Sequence, residues 1–245
     1  MVLKNHSFFK LLIRNKMDKI KIKETIRISN KKGINYLLDK NNKLVKNKPW
    51  LGDIFSFFYD RIMEKSVFPK KFNASIDLHY KILGEIFKKI SDKTMIEFAA
   101  GSGDATRFLN SNNVYAGVDI SSGLLRIAKK KFELHGFTKF ELYCADACDT
   151  PFQDNSFDAA ICNLSLNFFQ HIENFISETH RVLKANGILY CCVPIPEKKN
   201  PKATIRGKLY KLDELREKFE SKKFKFEPLP FENGALIYFK AETKS

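Results

Sequence analysis

Short apolar runs, each closed by a small or acidic residue, recur from residue 95 onward: Met95–Ala99, Val114–Val118, Phe140–Cys144, Ala159–Cys162 and Ile188–Val193. Little polar alternation breaks them, so each predicts a strand buried on both faces, as in a parallel sheet. Between them the apolar positions take helical spacing. Ser121 or Ser122 caps a predicted helix running to about His135, with Leu124, Leu125, Ile127, Ala128 and Phe132 on its inner face. Ile172, Phe175, Ile176, Thr179, Val182 and Leu183 mark a second such face. Ile76, Tyr80, Leu83, Ile86, Phe87 and Ile90 mark another, ahead of the first strand. After a polar loop over 197–208, a short helix through Leu212, Leu215 and Phe219 leads to two more strands. These are Phe224–Leu229 and Ala235–Ala241, joined across Glu232-Asn-Gly234, a hairpin signal. Strand and helix alternate before a closing hairpin, which predicts an α/β fold around a mostly parallel sheet.

The first run ends at Gly101-Ser-Gly103, and Asp104 to Leu109 reads as the opening turns of a helix. Strand, glycine turn and helix bring a ligand against bare backbone at a helix start. The second run stops at Asp119, where one carboxylate can accept from both hydroxyls of a ribose. This half of the sheet is built for a nucleoside. A dinucleotide site wants Gly-x-Gly-x-x-Gly, and Thr106 stands in the third place. An NAD-dependent dehydrogenase is therefore the weaker alternative, and the closing hairpin stands where such an enzyme would add another βαβ unit.

Glu97-x-Ala99-x-Gly101-x-Gly103 resembles the first motif of class I S-adenosylmethionine (SAM) methyltransferases, with Ala99 in place of the first glycine. Pro151-Phe-Gln-Asp-Asn-Ser-Phe-Asp158 is similar to a further signature of that family. So is Arg181-Val-Leu-Lys-Ala-Asn-Gly187, where Gly187 is expected to supply the left-handed residue after the helix. The resemblance spans about residues 50–241. It implies a Rossmann-like class I methyltransferase fold: a mostly parallel seven-stranded sheet, an antiparallel C-terminal hairpin and helices on both faces. It also implies SAM as cofactor. Glu97, Ala99, Gly101 and Gly103 would serve its methionine side, Asp119 with Ile120 the ribose, Asp146 with Ala147 the adenine, and Asn163 the transfer site. Phe58-Tyr59-Asp60 resembles a Tyr-Asp pair of ubiquinone and menaquinone C-methyltransferases, in a segment that folds over the substrate mouth. Tyr59 and His171 are the candidate catalytic residues. His79, His135 and His180 read as structural or exposed.

Charge and composition divide the chain. The net charge is +15, yet residues 1–50 hold 14 Lys and Arg against 3 Asp and Glu, and the remainder is close to balanced. The expected organisation is a basic extension over 1–48, a helical cover over 49–93 rich in aromatics, and a SAM-binding domain over 94–245. The extension is expected to be disordered or to touch RNA or an anionic membrane weakly. Five cysteines without a Cys-x-x-Cys pair read as reduced thiols in a cytoplasmic protein, with no metal site. No transmembrane segment is evident. The body's modest charge and the lack of an Asn/Asp-Pro-Pro-aromatic loop after Asn163 favour a small-molecule methyl acceptor. RNA methylation through the basic arm and a non-catalytic SAM-binding protein are the alternatives.

Overall fold

A computed structural model describes residues 20–45 and 58–244. The described strands form one sheet. In chain order they are β1 (Arg27–Lys31), β2 (Ile34–Leu38), β3 (Thr94–Phe98), β4 (Val114–Asp119), β5 (Phe140–Cys144), β6 (Phe157–Asn163), β7 (Leu183–Pro194), β8 (Phe224–Pro228) and β9 (Leu236–Thr243). Their spatial order is β1-β2-β5-β4-β3-β6-β7-β9-β8. Strands β2 through β7 pair in parallel across this order. β9 runs antiparallel between β7 and β8. The order reverses between β3 and β6, which opens a crevice at the strands' C-terminal ends.

The helices are α1 (Tyr59–Ile62), α2 (Ile76–Phe87), α3 (Ser122–Leu134), α4 (Ile172–Val182) and α5 (Leu212–Glu220). Ser121 caps α3, its hydroxyl accepting from Leu124 N at 3.1 Å, as the sequence predicts. Alternation along β3 sends Ile96 and Phe98 to one face, with Phe175, Ile176, Leu215 and Phe219 of α4 and α5. Met95 goes to the other face, with Leu83 and Phe87 of α2 and Leu125, Ala128 and Phe132 of α3. Helices therefore cover both faces.

Four expectations change. The sheet has nine strands, because residues 20–45 belong to it and do not form a detached extension. The β1–β2 hairpin turns at Lys32-Gly33, both with positive φ, and β2 extends the sheet past β5. Ile34 is buried and joins the core beneath α3. Asp104–Arg107 makes only one 3₁₀ turn, so no long helix follows the glycine loop. Asn186 takes the left-handed conformation at φ +59°, not Gly187. Gly187 is needed for another reason: a Cβ there would lie 2.8 Å from Lys184 O. Residues 1–19 and 46–57, with Trp50 and Phe55 of the aromatic segment, lie outside the described residues.

Candidate functional site

The loops leaving β3, β4, β5 and β6 enclose two adjoining chambers. The larger, about 670 Å³, is lined by Asp119 and Ile120 after β4, by Asp146, Ala147 and Cys148 after β5, and by Phe168, Phe169 and His171 beyond β6. That volume lies within the roughly 300–1,000 Å³ typical of small-molecule sites. The smaller, about 50 Å³, lies over Glu97 and Asn163 and is walled by Met63, Phe68, His79 and Tyr80. Tyr59, Ala99, Gly101 and Ser165 line both.

The turn after β3 shapes this junction. Ala99, Gly101 and Gly103 all have positive φ, at +54°, +55° and +83°. A methyl at Gly101 would find no neighbour closer than Ala99 O at 3.9 Å, so the glycine keeps space open at the junction. Gly103 does not reach the site. It lines neither chamber, and a Cβ there would meet Ala128 Cα at 2.7 Å, so it serves the close approach of α3.

Asp119 is buried, and both its oxygens are used. Oδ2 accepts from Gly101 N at 2.9 Å and Oδ1 from Ser121 N at 2.8 Å. The carboxylate therefore ties the tip of β4 to the glycine turn and to the start of α3. Asp146 is exposed at the opposite wall, its Oδ1 accepting from Cys148 N at 2.8 Å. Glu97 points from β3 towards α2 and α3, 4% exposed, and takes a hydrogen bond from Tyr115 Oη. Burial, and then the charges of Asp104 and Asp119, push its carboxyl up to about 8 against the Tyr115 contact. It is thus neutral near pH 7 until a cation arrives.

The cover over this floor starts at α1 and continues through a wide π-type coil, Met63–Phe72. An ionic latch holds it. Lys131 Nζ on α3 donates to Asp60 Oδ2 at 2.6 Å and to Asp104 Oδ1 at 2.8 Å. Ser102 Oγ donates to Asp60 Oδ1 at 2.5 Å, and Tyr80 Oη to Asp104 Oδ2 at 2.8 Å. The far end is pinned by the C-terminal hairpin, where Ala235 N donates to Phe72 O at 2.7 Å. Asn233 clasps Ser75 through both its N–H and its carbonyl, at 2.8 Å each. Gly234 passes so close that a Cβ would lie 2.2 Å from Asn73 O.

Of the two catalytic candidates, Tyr59 faces both chambers and His171 stands exposed at the rim of the larger one. Burial, with Asp119, Asp104 and Asp60 nearby, holds the Tyr59 hydroxyl above its ordinary value, which makes it a hydrogen-bond donor and not a base. Sequence reasoning missed Ser165, Phe168, Phe169, Tyr80 and His79 as lining residues. The two phenylalanines follow the fourth strand where ligands bind, which was the available signal.

Residues 96–191 match the methyltransferase domain family. That segment runs from β3 into β7 and is the part of the chain that resembles a methyltransferase domain. The chain is similar to the ubiquinone/menaquinone biosynthesis C-methyltransferase UbiE of Bartonella bacilliformis, 34% identical over 128 residues, which is 50% of this chain and 48% of that one. The chain spans about half the length of the curated relatives it matches. In fold, it is similar to a putative methyltransferase from Bacillus halodurans C-125, with TM-score 0.57, 18% identity and coverage of 68% of this chain and 99% of that one. It is also similar to the [4+2]-cyclase SpnF, with TM-score 0.63, 16% identity and coverage of 79% and 94%. The residues lining the two chambers fit SAM. An acid faces the larger chamber on either side, an open glycine joins the two chambers, and unpaired buried polar atoms of His79 and Asn163 belong to residues lining the smaller one.

Proposed function

We propose that the chain transfers the methyl group of SAM to a small, partly apolar organic acceptor in the cytoplasm. The observation that carries this is the division of the site. A polar chamber suited to an amino-acid end adjoins a larger one whose mouth is edged by Phe168 and Phe169, with Tyr59 at the junction of both.

In this reading Asp119 accepts from the ribose hydroxyls and Asp146 from the adenine amine. Glu97, with Ala99 and Gly101, faces the methionine end, and Asn163 lines the same chamber. SAM supplies an electrophilic methyl on a sulfonium, so the protein's task is to hold donor and nucleophile in line. Such positioning is worth up to about 7–11 kcal/mol. The latched cover and the aromatic rim exclude water and restrict the acceptor's approach to the larger chamber. An acidic acceptor such as an enol needs little more. Among the described residues, His171 at the rim is the one histidine lining the larger chamber and the candidate base for any proton released there.

A small organic acceptor also agrees with the charge distribution. Residues 20–45 carry seven Lys and Arg against two acids, and Arg27, Lys31 and Lys32 of these lie on the β1–β2 hairpin at the sheet edge. A weak contact of this basic hairpin with RNA or an anionic membrane belongs to the same proposal. Among the described residues no helix is long and apolar enough to cross a membrane.

The test is incubation of the full chain with methyl-labelled SAM and a cell extract, fractionated into nucleic acid, protein, water-soluble and organic-soluble pools. Label in the organic or small-metabolite pool is expected. Label in RNA would replace this reading with nucleic-acid methylation. SAM binding without transfer to any pool would make the chain a non-catalytic SAM-binding protein.

A further inference from the structure

His79 on α2 is 1% exposed and lines the smaller chamber. Burial pushes its pKa down to about 4, so the ring is neutral and carries one N–H. Its Nδ1 lies 2.9 Å from Tyr238 Oη. Asn233 fixes what that hydroxyl can do. Its Oδ1 accepts from Ser75 N, which turns its amide nitrogen towards Ser75 O at 2.8 Å and Tyr238 Oη at 3.4 Å. Tyr238 Oη therefore accepts from Asn233 and has one proton to give. The Cys192 thiol beside it is a weak acceptor, and the imidazole nitrogen is a strong one. The proton goes to Nδ1, and the His79 hydrogen is left on Nε2.

Nε2 has no partner among the described residues. Asn163 is a side-chain hydrogen-bonding neighbour of the ring that offsets part of the drop in the His79 pKa, but its Oδ1 and the His79 Nε2 fall short of hydrogen-bond geometry, so neither atom has a partner among the described residues. Phe68 and Tyr238, with ring centroids at 5.1 and 5.7 Å, hold the imidazole in place. His79 Nε2–H and Asn163 Oδ1 thus stand at the smaller chamber as a buried neutral donor and a buried acceptor without partners among the described residues.

Building on the reading above, we propose that His79 is a cofactor-recognition residue whose Nε2–H reads the α-carboxylate of SAM. A methionine end brings an ammonium and a carboxylate, and only the carboxylate accepts a hydrogen bond. Among the described residues no lysine or arginine lines this chamber. The nearby Lys131 is spent on Asp60 and Asp104, and the Tyr80 hydroxyl on Asp104. A carboxylate here must be met by a neutral donor, and His79 supplies it. Asn163 Oδ1 and Glu97 then face the ammonium. Tyr238 acts as a positioning residue, because its proton decides which His79 nitrogen is the donor.

The test is calorimetric titration of the full chain with three ligands that share the adenosine. S-adenosylhomocysteine has both charged groups, decarboxylated SAM lacks the carboxylate, and 5′-methylthioadenosine lacks both. His79→Phe is expected to weaken S-adenosylhomocysteine by about tenfold or more, while the other two stay within about twofold. His79→Gln, which restores an N–H donor, is expected to recover part of the loss. Tyr238→Phe keeps the imidazole and serves if His79→Phe fails to fold; it is expected to weaken S-adenosylhomocysteine alone, by a smaller factor. Equal losses on all three ligands, or an unchanged affinity for S-adenosylhomocysteine, would overturn the assignment. Failure of the parent protein to bind any of the three would instead overturn the methyltransferase reading on which it rests.

Discussion

Removing Lys131 should loosen the cover and little else. In the latch its ammonium bridges two carboxylates from different parts of the chain. Its side chain is 20% exposed, against 44% for Asp60 and 24% for Asp104. Exposed ion pairs are worth about 0.2–1 kcal/mol, whereas breaking a buried pair by deleting one partner costs about 3–5 kcal/mol. Lys131→Met keeps the aliphatic stem and strands both carboxylates in a half-buried position, so the cost should be about 2 kcal/mol. In a chain of this size that is a drop of roughly 4–8 °C in Tm. A double-mutant cycle isolates the cause. Asp104→Asn alone should destabilise, because Lys131 loses one of its two carboxylates. In the Lys131→Met background it should cost less, because only the Arg107 and Tyr80 contacts of Asp104 remain to be lost. The cover segment 59–72 should also become sensitive to limited proteolysis. Burial pushes the Asp104 carboxyl up, yet Lys131, Tyr80 and Arg107 hold it below its ordinary value. Its stabilisation is therefore present above the unfolded-state pKa and is lost as pH falls through the lower folded value. Additive effects in the cycle, or a Lys131→Met protein that melts with the parent, would refute the latch.

Three further outcomes are expected. Glu97 has its folded pKa raised to about 8 from 4.5, so its burial destabilises the ligand-free fold increasingly as pH rises between those values; Glu97→Gln should gain stability over the parent from pH 5.5 to 8.5, and a gap that does not change with pH contradicts this. Asp119→Asn removes a charged acceptor and should weaken SAM about tenfold to more than a hundredfold by calorimetry, with unchanged affinity excluding the ribose role. Ile34→Ala should cost about 2–4 kcal/mol by urea denaturation, because that side chain is fully buried by the hairpin's packing; a chain beginning at residue 46 should melt lower still, and tolerance of both would mean the hairpin is only laid against the sheet.

The parallel strands were readable because strands buried on both faces must be written as continuous apolar runs. The site acids were readable for a related reason, since Asp119 and Asp146 end such runs abruptly. The β1–β2 hairpin was not read, because Arg27–Lys31 is mostly polar and half-exposed at a sheet edge. Its signal was local, a Lys32-Gly33 turn with positive φ at both positions, between segments of mixed polarity. Asn186 took the left-handed place beside a glycine because asparagine tolerates that conformation and Gly187 was already committed to a close contact. His79 was read as structural or exposed because it sits on a predicted helix. Only the three-dimensional meeting of α2, β9 and the Asn163 loop shows which nitrogen is left over. The ionic latch joins residues 60, 102, 104 and 131, and no local pattern announces such a contact.

The central claim, that the two chambers hold SAM and not a dinucleotide, is tested most directly by titrating the full-length chain with S-adenosylhomocysteine and with NAD in parallel. One-to-one binding of S-adenosylhomocysteine, weakened by Asp119→Asn, with no heat from NAD, is the predicted result. Tight NAD binding, or no binding of S-adenosylhomocysteine at all, would contradict it.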